Sequence, residues 1–179
     1  MRVLEHRRHG LRPKGQPHLI QSGVTDARRI GAATGPFDRV VTSPAPRAIE
    51  TAVAMGYAVG TELAELFSIP DAVQNELDQD GSLAFAGAAR AIARDGEAAQ
   101  FARRQAELWH EILAEVPDGG QVLMISHGGI IELGAVAAVP SLGKSGGEHL
   151  QPLEGVRLEL EGEQWARGTV LRLGPSARS

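Results

Sequence analysis

No cysteine occurs in the 179 residues, which removes disulfide frameworks, thiol nucleophiles and Cys-type zinc sites together. Nor is there a run of 18 or more apolar residues, so no membrane span is expected. The opening Met1-Arg2-Val3-Leu4-Glu5 has no apolar signal region, and the lack of cysteine permits the cytoplasm, which is the expected location. Excess positive charge is missing too. Lys and Arg total 18 against 22 Asp and Glu, a net charge of −4 that argues against a nucleic-acid partner. Internal repeats, low-complexity tracts and linkers are absent.

What remains is ordinary globular material, 42% hydrophobic and 22% charged. A single domain over residues 1–179 is expected, long enough to bury roughly two-thirds of its unfolded surface without a metal or disulfide staple. Cations gather near the start, at Arg2, Arg7, Arg8, Arg12 and Lys14. On an acidic chain such a cluster suits capture of a small anion better than a polymer track.

The apolar pattern alternates between element types. Strands are predicted over residues 2–6, 37–43 and 121–126, with a shorter one at 57–59. Helices are predicted over 25–33, 46–55, 82–94, 97–116 and 130–139. Residues 11–22, 68–81 and 140–152 read as loop or irregular chain. Residues 153–160 and 165–173 read as a hairpin around Glu161-Gly162-Glu163. Interleaved elements closed by a hairpin imply an α/β/α sandwich with a mostly parallel sheet and one antiparallel edge.

Three segments carry chemistry at predicted strand ends: Arg7-Arg8-His9-Gly10, Ser43-Pro44-Ala45-Pro46-Arg47-Ala48 and Ile125-Ser126-His127-Gly128-Gly129. The carboxyl ends of parallel strands are where α/β enzymes place ligands. A neutral imidazole has a free ring nitrogen and is a competent phosphorus nucleophile. Phosphate ester oxygens are negative, so attack needs cations aimed at them, and two guanidinium forks supply fixed charge with bidentate hydrogen bonds. A second histidine adds a further donor to the same oxygens.

This ordered set resembles the histidine phosphatase superfamily, the phosphoglycerate mutase-like fold. The likeness rests on Arg8-His9-Gly10, on residues 19–31 as a degenerate copy of the following loop and helix, on residues 43–52 with Arg47, and on Ser126-His127-Gly128. It implies that His9 is transiently phosphorylated and that Arg8, Arg47 and His127 form the phosphate pocket. It also implies a metal-independent, cofactor-free phosphomonoesterase of the small-phosphatase branch, acting on a small phosphorylated substrate, with a phosphoprotein as an alternative. The family protonates the leaving oxygen with a carboxyl near a Leu-x-Glu pattern. Leu63-Ala64-Glu65 matches, so Glu65 is the expected catalytic acid, with Glu62, Glu76, Asp78 and Asp80 competing nearby.

The departures are instructive. Leu11-Arg12 follows Arg-His-Gly where the family has an acidic or amide residue and then Thr or Ala, which makes Arg12 either a further pocket cation or a solvent-facing residue. His6 and His9 are three apart, a spacing that puts them on opposite faces of a strand and argues against shared metal ligation. Leu142-Gly143-Lys144-Ser145 resembles the end of a P-loop, but Ala138 replaces the earlier glycine, Pro140 intervenes and a helix precedes it. His18, His110 and His149 read as surface residues, and Trp109 and Trp165 as packing or surface residues. Two other functions compete with the phosphatase: a non-catalytic phosphoryl-binding module and a phosphomutase. Oligomeric state and substrate identity are not written in the motifs.

Overall fold

The computed structural model describes residues 1–79 and 84–174. Six strands form one sheet: β1 (Arg2–Arg8), β2 (Arg39–Thr42), β3 (Thr61–Glu62), β4 (Gln121–Ser126), β5 (Gly155–Glu161) and β6 (Gln164–Leu171), in the spatial order β3-β2-β4-β1-β5-β6. The first four are mutually parallel, β5 runs antiparallel to β1, and β6 antiparallel to β5. The helices are α1 (Gln21–Gly31), α2 (Pro46–Ala54), α3 (Asp71–Asp78), α4 (Phe85–Ala93), α5 (Glu97–Ala114), α6 (Ile130–Ala138) and α7 (Leu142–Ser145), with a 3-10 turn at Ala64–Leu66. This is the expected α/β sandwich with its antiparallel edge.

Side-chain alternation along the central strands divides the core in two. Val122 and Met124 of β4 join Leu4 of β1 and Val41 of β2 in the larger cluster, under α3 to α6. Leu123 and Ile125 face the other way, into a smaller cluster with Ala27, Ile30, Ala48 and Ala52 from α1 and α2. A strand covered on both faces reads as a continuous apolar run, which is why β4 is so plain in the sequence. Trp109 of α5 is fully buried and lies over Gly134 of α6, where a Cβ would come within 2.3 Å of the indole. That close helix approach requires a glycine.

Four elements differ from the sequence reading. β1 extends to Arg8 because its charges are satisfied internally: Arg7 Nε donates to Glu5 at 2.6 Å and its Nη1 donates to the Leu153 carbonyl at 2.8 Å, both side chains being buried. The short strand expected at 57–59 is instead Thr61–Glu62, paired with Val41 and Thr42. Tyr57 and Val59 pack against the smaller cluster, and the Tyr57 hydroxyl donates to Thr34 at 2.6 Å. Within the segment read as irregular, Asp71–Asp78 is helical, started by Pro70 and anchored by buried Val73 and Leu77 one turn apart. The 140–152 segment contains the short helix α7. Asp80 and the start of the helix expected at 82 lie outside the described residues.

Candidate active site

Three adjacent parallel strands, β1, β4 and β2, deliver the candidate residues from their carboxyl ends. His9 follows β1 and is locked there by its backbone N–H, which donates to the Ser126 carbonyl at 2.9 Å. Arg47 sits in the first turn of α2, set by Ala45-Pro46 after β2. His127 follows β4, and the turn beyond it needs Gly129 at φ 84 to start α6.

The imidazoles of His9 and His127 meet edge to face with ring centroids 5.3 Å apart. Both line one cleft of about 410 Å³ together with Arg8, Arg12 and Arg47. The structure therefore brings together His9, Arg8, Arg47 and His127, and adds Arg12.

Hydrogen bonding assigns the protons. His9 Nδ1 lies 2.8 Å from the Gly10 carbonyl, which only accepts, so Nδ1 carries the proton and Nε2 keeps its lone pair. Arg47 Nη2 donates to His127 Nδ1 at 3.1 Å, so that ring donates through Nε2 to Ser43 Oγ at 2.9 Å. The accepting Nδ1 makes His127 neutral, whereas the Gly10 bond suits either charge state of His9, whose neutrality follows from its lowered pKa. Burial, then Arg47, Arg8 and Arg12, push His9 down to about 4 against the Gly10 carbonyl, which favours the charged form. Burial, then Arg47, His9, Arg8 and Arg12, push His127 down to about 3. His6, wholly buried on β1, is likewise pushed to about 3 by burial and His127, and its Nε2 lies 2.6 Å from Ser126 Oγ with Trp109 at its edge.

Glu65 is not among the cleft residues. It is exposed and lines a separate pocket of about 300 Å³ with Ser68, Arg104 and Gln105, while its carbonyl accepts from Gln105 Nε2 at 3.0 Å. Its competitors also lie elsewhere. The Glu76 carboxylate caps the start of α5 through the N–H groups of Glu97 and Ala98, and Asp78 accepts from Gln74. Glu62 is exposed on β3. Among described residues the one carboxylate lining the cleft is Glu132, buried at the start of α6. Sequence reasoning passed over it, although a lone acid inside the apolar run 130–139 was a signal.

Of the histidines read as surface residues, His18 and His149 are exposed, and His149 also lines the cleft. His110 is half-buried, 3.3 Å from Glu163 and edge-on to Trp165. Among the described residues no group of three or more His, Asp and Glu is gathered as a metal ion needs. No helix among them is long and apolar enough to cross a membrane.

A family model described as the histidine phosphatase superfamily (branch 1) matches residues 4–169. The chain belongs to that superfamily. No curated protein matches it. Among solved structures the superfamily fold recurs in a phosphoserine phosphatase of Entamoeba histolytica, solved with 3-phosphoglyceric acid, at 14% identity, 97% of this chain, 98% of that chain and TM-score 0.71. A mycobacterial glucosyl-3-phosphoglycerate phosphatase, solved with inorganic phosphate, matches at 22% identity over the whole of both chains with TM-score 0.66. A phosphoglycerate mutase from Bacillus anthracis matches at 19% identity over 92% of this chain and 90% of that chain, TM-score 0.66. At such identities these likenesses establish the shared fold of the superfamily.

Proposed function

We propose that the protein is a phosphomonoesterase that hydrolyses a small phosphorylated substrate through a phosphohistidine on His9. The observation that carries this reading is the convergence of His9, His127, Arg8 and Arg47 on one cleft. Nε2 of neutral His9 donates its lone pair to phosphorus, forming a P–N bond as the ester P–O bond breaks toward the leaving oxygen. The Arg8 and Arg47 forks hold the equatorial oxygens and offset the charge that develops on them. Water then attacks phosphorus, the P–N bond breaks, and inorganic phosphate leaves with His9 regenerated. The leaving oxygen must take up a proton. An aryl phosphate, which departs as a stable phenolate, lightens that demand and is the substrate for a first assay.

His9→Ala is expected to abolish p-nitrophenyl phosphate turnover, and an acid-labile, base-stable phosphoryl adduct should form on the wild type and not on the variant. Undiminished turnover in His9→Ala sinks the proposal. A phosphoryl-binding module without turnover is the second reading, favoured by the position of Glu65 outside the cleft. It predicts orthovanadate binding with no hydrolysis across a panel of phosphomonoesters. A phosphomutase would instead show isomerisation primed by 2,3-bisphosphoglycerate.

A further inference from the structure

The helix after His127 contains one ionisable residue. Along Ile130–Ala138 every other side chain is apolar or a glycine, yet Glu132 is only 1% exposed. A buried carboxylate is costly unless its oxygens are hydrogen-bonded and a cation stands near. Both conditions hold. The Gly129 N–H donates to Oε2 at 2.6 Å, and the Leu150 N–H donates to Oε1 at 2.9 Å. The Leu150 carbonyl in turn accepts from Arg8 Nη1 at 2.5 Å. Charge couples the same pair: burial pushes the Glu132 carboxyl up while the N–H groups of Leu150, Gly129 and Glu132 itself and then Arg8 oppose it, and Glu132 opposes the burial that pushes Arg8 down.

A glutamate three residues into a helix that reaches back to the N-cap is a common cap. A cap needs only the Gly129 bond. The second bond, to a residue 18 positions away, serves another purpose. It ties the loop after β4, which bears His127 and Gly128, to the segment before β5. The Arg8 guanidinium lies between these two, bonded to Leu150 and 3.6 Å from the point where a Gly128 Cβ would sit. Its Nη1 is held by the Leu150 carbonyl and its Nε is buried with no protein partner, while the residue lines the cleft beside His9 and His127.

We infer that Glu132 is a positioning residue for Arg8, aligning its fork on a phosphoryl group through the Leu150 carbonyl and through its own charge. The inference rests on the proposed phosphoryl chemistry for what the fork is aimed at. It also assigns a use to the only carboxylate that lines the cleft among the described residues.

A double-mutant cycle with Arg8 tests it, because residues acting through one another give non-additive effects and a merely structural residue does not. The variants are Glu132→Gln, Arg8→Ala and the double, read as kcat/KM for p-nitrophenyl phosphate and as Kd for orthovanadate. Glu132→Gln alone should cost roughly tenfold to a hundredfold, the scale of a misplaced catalytic group. In the Arg8→Ala background it should cost almost nothing. An equal loss in both backgrounds overturns the inference. If Glu132→Gln does not fold, as judged by its melting curve, Glu132→Asp enters the same cycle with the same two outcomes. Should the wild type bind vanadate without turnover, the hydrolase reading fails while the vanadate cycle still decides the role of Glu132.

Discussion

Arg8, His9 and His127 lie at strand ends tied into the sheet ladder, whereas Arg12, Phe67, Gln74 and His149 reach the same cleft from segments outside it. The backbone N–H groups of Arg8 and His9 donate to Glu154 and Ser126 at 2.8 and 2.9 Å, so the floor is fixed before any side chain acts. Arg12 is held instead by carbonyls of its own loop, Pro13 and Gln16, and Phe67 is 50% exposed. A rigid floor suits chemistry common to every phosphate ester, and an outer ring on loops suits choice among substrates.

Substitution at the floor should give the largest effect. Arg47→Lys keeps one positive charge but loses the planar fork, so kcat/KM for p-nitrophenyl phosphate is expected to fall by roughly 10²–10³. Steady-state kinetics check this, with a melting curve to confirm the fold. A loss under about tenfold would remove Arg47 from the floor and erase the distinction from Arg12.

The floor was legible in the sequence and the rim was not, for reasons visible at single residues. His9, Arg47 and His127 each sit beside a turn-forming glycine or proline, and the latter two follow the apolar runs of β2 and β4, so residue type and position pointed the same way. β1 itself was read too short because Glu5, His6 and Arg7 look like solvent-facing residues. Their partners are Leu153, which is remote in sequence, Ser126 on the neighbouring strand β4, and each other. The same blindness hid Glu132, whose partners Leu150 and Arg8 come from distant segments. Helix α3 was missed because only Val73 and Leu77 of its eight residues are buried, too short a stripe to stand out. At the rim, Phe67 and His149 lie on loops and Gln74 on α3, and they converge only through the path of the chain between elements, which no periodicity encodes.

The buried histidines also make the stability of the fold depend on pH. His6, His9 and His127 are held near 3, 4 and 3 in the folded chain against 6.5 for an unstructured histidine. Below pH 6.5 the unfolded chain therefore takes up protons that the folded chain refuses until about pH 4 at His9 and about pH 3 at His6 and His127. Stability present above pH 6.5 is lost as the pH falls through that window. Melting temperature measured in half-unit steps should decline from about pH 6.5 to about pH 3, and His127→Asn should flatten the slope. A wild-type melting temperature constant over this range would show that these imidazoles take up protons in step with the unfolded chain.

At the rim, effects should be smaller and should depend on the substrate. Arg12 lines the cleft and its field reaches His9, His127 and both floor arginines, but its Nη1 is committed to its own loop. Arg12→Ala is expected to raise KM by up to about tenfold with little change in kcat, the pattern of lost uniform binding. An equal drop in kcat and kcat/KM would move Arg12 down to the floor.

The smallest effect is expected at Glu65, and it bears most directly on the proton for the leaving group. A general acid supplies roughly 10²–10⁴ in rate, and more of that is needed by an alkyl oxygen than by a stabilised phenolate. If Glu65 supplied this proton, Glu65→Gln would cripple hydrolysis of an alkyl phosphate while sparing an aryl phosphate. The carboxylate lies in the pocket with Arg104 and Gln105, apart from the His9 cleft. Both substrates should therefore lose the same small factor, well below the roughly 10²-fold that marks an acid. Kinetics on phosphoserine and p-nitrophenyl phosphate in parallel decide it. Selective loss on the alkyl ester would require the chain around the Ala64–Leu66 turn to reach the cleft during turnover, and would make that turn part of the chemistry rather than of the rim.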